Sequence, residues 1–208
     1  MNVKVKVCGI TSFADAEKAL ELGADMLGFN FYPPSPRFLT PQKAKDIIQR
    51  LPADSFNVAL FVNETRENVS DVIASAQIDH GAGYLAAQFH GEESAAYCSG
   101  WNVKIIKAFR LKERSSVTTL RKFPADFYLL DSWSPGYGGS GAAFPWEWAD
   151  GLDTGRLILS GGLSVENVAA AIKRLHPYAV DVCSGIEVRP GVKDYAKLKE
   201  FIIAAKSA

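Results

Sequence analysis

Short runs of β-branched and aliphatic residues recur eight times along this chain, and segments of helical periodicity lie between them. The runs fall at residues 3–8, 25–29, 57–62, 84–89, 103–109, 126–131, 156–160 and 178–182. In the intervening segments apolar residues return at i, i+3, i+4 and i+7, the spacing of one helix face. Ala44, Ile47, Ile48 and Leu51 form one such stripe, Val165, Val168, Ala169 and Ile172 a second, and Tyr195, Leu198, Phe201 and Ile202 a third. Strands joined through helices must pair in parallel, and a parallel sheet needs both faces covered. Eight strands and eight helices favour closure into a (β/α)8 barrel, an α/β fold, over an open doubly wound sheet. No GxGxxG follows the first strand, so the usual fingerprint of the open alternative is missing.

Helix-start signals agree with this phase. Ser12 stands three residues before Asp15, a variant of the capping box, and Thr40-Pro41 offers an N-cap with proline at the first helical position. Gly23 sits where the first helix should stop. No linker or low-complexity stretch interrupts the series, so residues 1–208 are expected to form one domain. That length is near the low end for the fold, roughly 200 to 400 residues.

Charge and cysteine content narrow the function. Lys plus Arg equals Asp plus Glu at 23 each, which argues against nucleic acid or an anionic membrane as the main partner. Cys8, Cys98 and Cys183 show no CxxC spacing, so neither a disulfide scaffold nor a zinc ribbon is expected. A reducing cytoplasm suits them. The first residues lack the apolar core of a signal peptide, and no apolar run reaches the ~18 residues of a membrane span.

Two glycine turns near the end of the chain follow consecutive strands. Residues 156–160 lead into Gly161-Gly162, and residues 178–183 lead into Ser184-Gly185. Glycines let backbone N–H groups approach a ligand closely, and convergent N–H groups prefer an anion. In a (β/α)8 barrel the last two strand-end loops form the usual phosphate site. Three longer connectors, Asn30 to Leu39, Ser132 to Phe144 with its run Gly136 to Gly141, and Gly185 to Val192, also follow strand ends. Barrel enzymes build their sites there, and such loops read as substrate lids or as tolerated insertions.

Several side chains on these strands suit chemistry. Alternation puts Cys8, Lys6 and Lys4 on one face of the first strand and Val3, Val5 and Val7 on the other. If the valines meet the helices, Lys6 lies inside the barrel and Cys8 at its mouth. Cys8 is then a small buried hydrophobe or a thiolate favoured by the lysine. Asp131 closes an apolar strand, where a carboxylate caps the next loop or works. Asp181 shares its face with Cys183 and needs a buried donor, for which Lys6 is a candidate. Gln88 and His90 share a face and would bind a polar ligand, orient a neighbour or satisfy each other. Arg37, in the stiff loop Pro33-Pro34-Ser35-Pro36-Arg37, is a surface charge or a grip for a carboxylate. With no second histidine at a strand end, a histidine metal centre is not expected. A thiol and a carboxyl facing one cavity suit proton transfer on a sugar phosphate.

Read in order, these segments resemble one family. They are Lys6-Val7-Cys8-Gly9-Ile10-Thr11, Ser35-Pro36-Arg37, Gln88-Phe89-His90-Gly91, Leu130-Asp131-Ser132, Gly138-Gly139-Ser140-Gly141, Leu159-Ser160-Gly161-Gly162-Leu163 and Asp181-Val182-Cys183-Ser184-Gly185-Ile186-Glu187. Together they resemble the phosphoribosylanthranilate isomerases of tryptophan biosynthesis over essentially the whole chain. The resemblance implies an Amadori rearrangement of N-(5-phosphoribosyl)anthranilate to 1-(2-carboxyphenylamino)-1-deoxyribulose 5-phosphate, with no cofactor and no metal. It implies Cys8 as general base, Asp131 as general acid, Arg37 on the anthranilate carboxylate, and His90 and Asp181 lining the pocket. It makes Gly161, Gly162, Ser184 and Gly185 the phosphate cradle, and it implies a monomer. Cys183 stands where the family more usually has serine. Competing readings are another phosphate-binding barrel, such as a pentose-phosphate epimerase or indole-glycerol-phosphate synthase, and a non-catalytic barrel that binds an anionic metabolite.

Overall fold

The computed structural model describes residues 3–76, 83–114, 117, 119–120, 123–133 and 143–208. Eight parallel strands close on themselves in sequence order: β1 (Lys4–Cys8), β2 (Met26–Asn30), β3 (Asn57–Phe61), β4 (Tyr84–Phe89), β5 (Lys104–Leu111), β6 (Phe127–Ser132), β7 (Leu157–Leu159) and β8 (Ala179–Val182). The seam is the pairing of β1 with β8, in which Lys6 lies opposite Asp181 and Val7 opposite Val182. The expected strands are all present, with ends moved by one or two residues.

Strand alternation explains the two cores. Val3, Val5 and Val7 point outward and join the large shell that includes Ala16, Ala19, Leu198, Phe201 and Ile202. Met26, Val58, Ala86, Ile106, Leu129, Ile158 and Ala179 fill the lower interior, a layer of side chains from neighbouring strands, as closure requires. Above that plug the inward positions turn polar, and Lys6 there has 0% exposure.

The helical layer is thinner than expected. Among the described residues the α-helices number five: α1 (Phe13–Glu21), α2 (Pro41–Ile48), α3 (Arg66–Ser75), α4 (Val168–Leu175) and α5 (Tyr195–Lys206). The caps read from sequence are formed. Ser12 Oγ accepts from Asp15 N at 3.1 Å, and Thr40 Oγ1 from Lys43 N at 3.3 Å. Between β4 and β5 the chain turns without forming an α-helix. Gly91 and Gly100 bracket a segment too short to repay helix nucleation, and Tyr97 instead packs edge-on and Trp101 tilted against Phe89, with ring centroids 5.1 and 5.4 Å away. Before β7 the described residues form two 3-10 turns, Trp146–Ala149 and Thr154–Arg156. Pro145, Gly151 and Gly155 break that stretch repeatedly. The run Gly136 to Gly141 and residues 77–82 before β4, His80 among them, lie outside the described residues.

After β8 comes a small antiparallel hairpin, β9 (Glu187–Arg189) with β10 (Val192–Lys193), which pairs Lys193 with Glu187. Among the described residues no helix is long and apolar enough to cross a membrane.

Candidate active site

The strand ends and the turns beyond them enclose a cleft of about 770 Å³, counting its open mouth. Cys8, Arg37, His90, Asp131, Gly161, Gly162, Asp181, Ser184 and Gly185 all line it. Those nine candidates are therefore gathered in one place.

At the floor, Lys6 Nζ donates to Asp181 Oδ1 at 2.8 Å, and Ser160 Oγ donates to Asp181 Oδ2 at 3.2 Å. Burial opposes the lysine's charge, but the Asp181 carboxylate beside it raises its pKa above the ordinary value. The Lys6–Asp181 pairing expected from alternation is thus present, and Ser160 extends it. That serine was legible as the inward residue two positions after Ile158.

One step up the same face, Cys8 and Cys183 continue the β1–β8 register beyond Val7 and Val182. The neighbouring Cys183 thiol is the largest influence on Cys8. It outweighs burial and, with the Lys6 ammonium below, brings the Cys8 pKa down to about 6. The Cys183 thiol donates to Glu187 Oε1 at 3.7 Å, and Cys8 and burial push its own pKa well up. Cys98, away from the cleft, is pushed up to about 11 by burial.

Across the barrel, Asp131 Oδ1 accepts from Ser132 N at 2.8 Å and Oδ2 is 3.1 Å from His90 Nε2. Gln88 Nε2 donates to His90 Nδ1 at 2.9 Å, so the ring's proton sits on Nε2 and is offered to Asp131. Of the three alternatives for Gln88 and His90, mutual satisfaction is present, and His90 also bonds a neighbour, Asp131. Asp131 accepts from the backbone that follows its strand and also faces the cleft.

The phosphate-type turns meet edge to edge. Gly161 and Gly162 have φ of +81° and +64°, the left-handed region that favours glycine. A Cβ on Gly161 would lie 2.5 Å from Ser132 N, and one on Gly185 would lie 2.2 Å from Leu163 O. Neither position has room for a side chain, so backbone forms the wall of the cleft there.

Arg37 behaves as a grip, though the carboxylate it holds in this structure belongs to the chain. Its Nε lies 2.9 and 3.2 Å from the two oxygens of Glu187, and its Nη2 lies 2.6 Å from Oε2. The loop carrying it is tied down. Ser35 Oγ accepts from Asn30 Nδ2 and from Arg37 N, both at 3.1 Å, and Leu39 N donates to Asn30 O at 2.8 Å. The arginine stem crosses Gly9, where a Cβ would stand 2.6 Å from Arg37 Cδ. Glu187 and Lys193 lie outside the candidates drawn from sequence, because only the folded hairpin brings them beneath Arg37.

Comparison with known proteins agrees with this geometry. The family model described as N-(5'phosphoribosyl)anthranilate (PRA) isomerase matches residues 5–204. N-(5'-phosphoribosyl)anthranilate isomerases from Pelobacter propionicus and Geobacter sulfurreducens are 43% and 44% identical to the chain over 206 residues each. Those alignments cover 98% of this chain in both cases, and 96% and 98% of the two relatives. The crystal structure of the phosphoribosyl anthranilate isomerase from Thermotoga maritima superposes with a TM-score of 0.87 at 41% identity, over 99% of this chain and 100% of that one. A phosphoribosyl anthranilate isomerase in complex with reduced 1-(o-carboxyphenylamino)-1-deoxyribulose 5-phosphate superposes with a TM-score of 0.84 at 38% identity, with the same coverage. By sequence, fold and family model together, the chain belongs to the phosphoribosylanthranilate isomerases, the isomerases of tryptophan biosynthesis.

Proposed function

We propose that this barrel carries out the Amadori rearrangement of N-(5-phosphoribosyl)anthranilate with Cys8 as general base and Asp131 as general acid. The observation that carries the assignment is the pairing of environments. The one thiol held low, at about 6, faces a cleft whose other wall presents a carboxyl hydrogen-bonded to an imidazole.

In this reading the substrate's phosphate sits against the backbone of Gly161, Gly162, Ser184 and Gly185, where the N–H groups and the absence of Cβ atoms suit an anion. Arg37 receives the anthranilate carboxylate. Asp131, in its protonated form, delivers a proton to the furanose ring oxygen, and the hydrogen bonds from His90 Nε2 and Ser132 N then stabilise the carboxylate left behind. The C1–O bond breaks as the nitrogen lone pair forms the Schiff base. Cys8 thiolate, largely ionised at neutral pH, then takes the proton from C2 to give the enolamine. Loss of the enol proton and protonation at C1 yield the ketone, so the net change is an isomerisation. Asp181 holds Lys6 beneath the thiolate and thereby keeps a positive charge under the base. Every group in this sequence is a side chain or backbone amide of the one barrel, which we take to act as a single unit in the cytoplasm on a small-molecule substrate.

The test is kinetic. Loss of the anthranilate fluorescence of the substrate is followed with wild type, Cys8→Ser and Asp131→Asn. Each substitution should lower kcat by roughly 10²–10⁴, the usual worth of a general acid or base. A variant that folds and retains full kcat removes its residue from the mechanism.

A further inference from the structure

Glu187 takes no part in the proton transfers, yet it is buried at the mouth of the barrel and heavily bonded. Its side chain is 3% exposed, against 13% for Arg37. Besides Arg37, Lys193 Nζ donates to Oε1 at 3.0 Å and Gly191 N at 3.4 Å. Burial opposes its charge, but the hydrogen bonds from Arg37 and the Lys193 ammonium hold the carboxyl below its ordinary range.

We propose that Glu187 is a positioning residue for the substrate's carboxylate: it clamps Arg37 along one edge of the guanidinium and leaves the other edge facing the cleft as a fork for that carboxylate. The inference rests on the reading of Arg37 given above.

A guanidinium has five N–H donors in one plane. Glu187 occupies the Nε–Nη2 edge. The Nη1 hydrogens and the second Nη2 hydrogen remain, and among the described residues no bond is formed by Nη1. These are the donors of the end-on fork, which matches a planar carboxylate through two parallel hydrogen bonds. An arginine held on one edge has lost its rotational freedom before the ligand arrives, so ordering it costs little on binding.

Charge explains the second cation. Arg37 with Glu187 alone would be a neutral pair with little net pull on an anion. Lys193, with 0% side-chain exposure, makes the triad net positive while keeping Glu187 fully paired. Lys193 Nζ also donates to Cys8 O at 2.6 Å, which ties the clamp to the strand that carries the base. The β9–β10 hairpin, with Glu187 opposite Lys193, is the rigid element that sets the distance.

The experiment compares two ligands by calorimetry: reduced 1-(o-carboxyphenylamino)-1-deoxyribulose 5-phosphate and its phenylamino analogue without the carboxylate. Glu187→Gln should weaken the first by roughly tenfold or more, the effect of misaligning a charged hydrogen-bonded pair, and leave the second unchanged. In an Arg37→Ala background Glu187→Gln should add nothing to the loss for either ligand. Glu187→Asp keeps the charge beside Lys193 but draws it away from Arg37, and it should show the same selectivity if Glu187→Gln fails to fold. Equal weakening of both ligands, or a loss that persists without Arg37, would mean that Glu187 only supports the hairpin, and the proposal falls. Arg37→Ala alone separates the two layers. If it is selective for the carboxylate ligand while Glu187→Gln is not, only the positioning role is lost. If it discriminates between neither ligand, the reading of Arg37 fails and takes the inference with it.

Discussion

Replacing Cys183 by alanine probes the base without touching the substrate's reacting atoms. The Cys183 thiol makes the largest contribution to the low pKa of Cys8, about 6. At pH 7 such a group is about nine-tenths thiolate, whereas a thiol at the ordinary 8.5 is about 3% thiolate. Burial of Cys8 still disfavours charge in the variant, and Lys6 still favours it, so the pKa should return toward the ordinary range. The expected loss in kcat/KM at pH 7 is then roughly thirtyfold, and activity should climb toward the wild-type plateau as the pH approaches 9. Cys183→Ser, which keeps a donor, should shift the profile less. The assays are kcat/KM by substrate fluorescence from pH 5 to 9.5 and direct titration of thiolate absorbance. A loss of equal size at every pH, or an acid limb still near 6 in Cys183→Ala, would refute the argument.

Three further outcomes follow from the geometry. Asp181→Asn leaves the fully buried Lys6 ammonium without its carboxylate and should cost about 3–5 kcal/mol in denaturant unfolding, the usual result of breaking a buried pair; replacing both residues with apolar ones should restore stability but not activity. Gly185→Ala must displace backbone, because its Cβ would meet Leu163 O at 2.2 Å; inhibition by inorganic phosphate should weaken at least tenfold, and an unchanged inhibition constant would remove this turn from the phosphate site. Alkylation by iodoacetamide at pH 7 should label Cys8 quickly and spare Cys98, whose pKa is pushed up to about 11, with the order of labelling read by peptide mass spectrometry.

Period-2 alternation carried most of what the sequence could reveal. It places Lys6, Cys8 and Asp181 on inward faces because valines on the other faces of β1 and β8 must meet the helices, and the register of β1 against β8 then brings Lys6 to Asp181. Glycines marked the phosphate-type turns because positive φ and close backbone approach leave no choice of residue at Gly161. Long-range partners were less legible. Nothing local to Arg37 indicates Glu187, which lies 150 residues away along the chain, or that Lys193 completes a three-charge cluster. The helix expected between β4 and β5 failed for a related reason. A helix was expected between every pair of strands, but over residues 92–99 packing of Tyr97 and Trp101 on Phe89 decides the conformation and the alternation does not.

Substrate carrying deuterium at C2 separates the two roles most directly. If Cys8 removes that proton, Cys8→Ser should make its removal rate-limiting and show the full primary isotope effect on kcat. Asp131→Asn should make ring opening limiting and suppress the effect toward unity. The reverse pattern, or an isotope effect indifferent to both substitutions, would contradict the assignment of base to Cys8 and acid to Asp131.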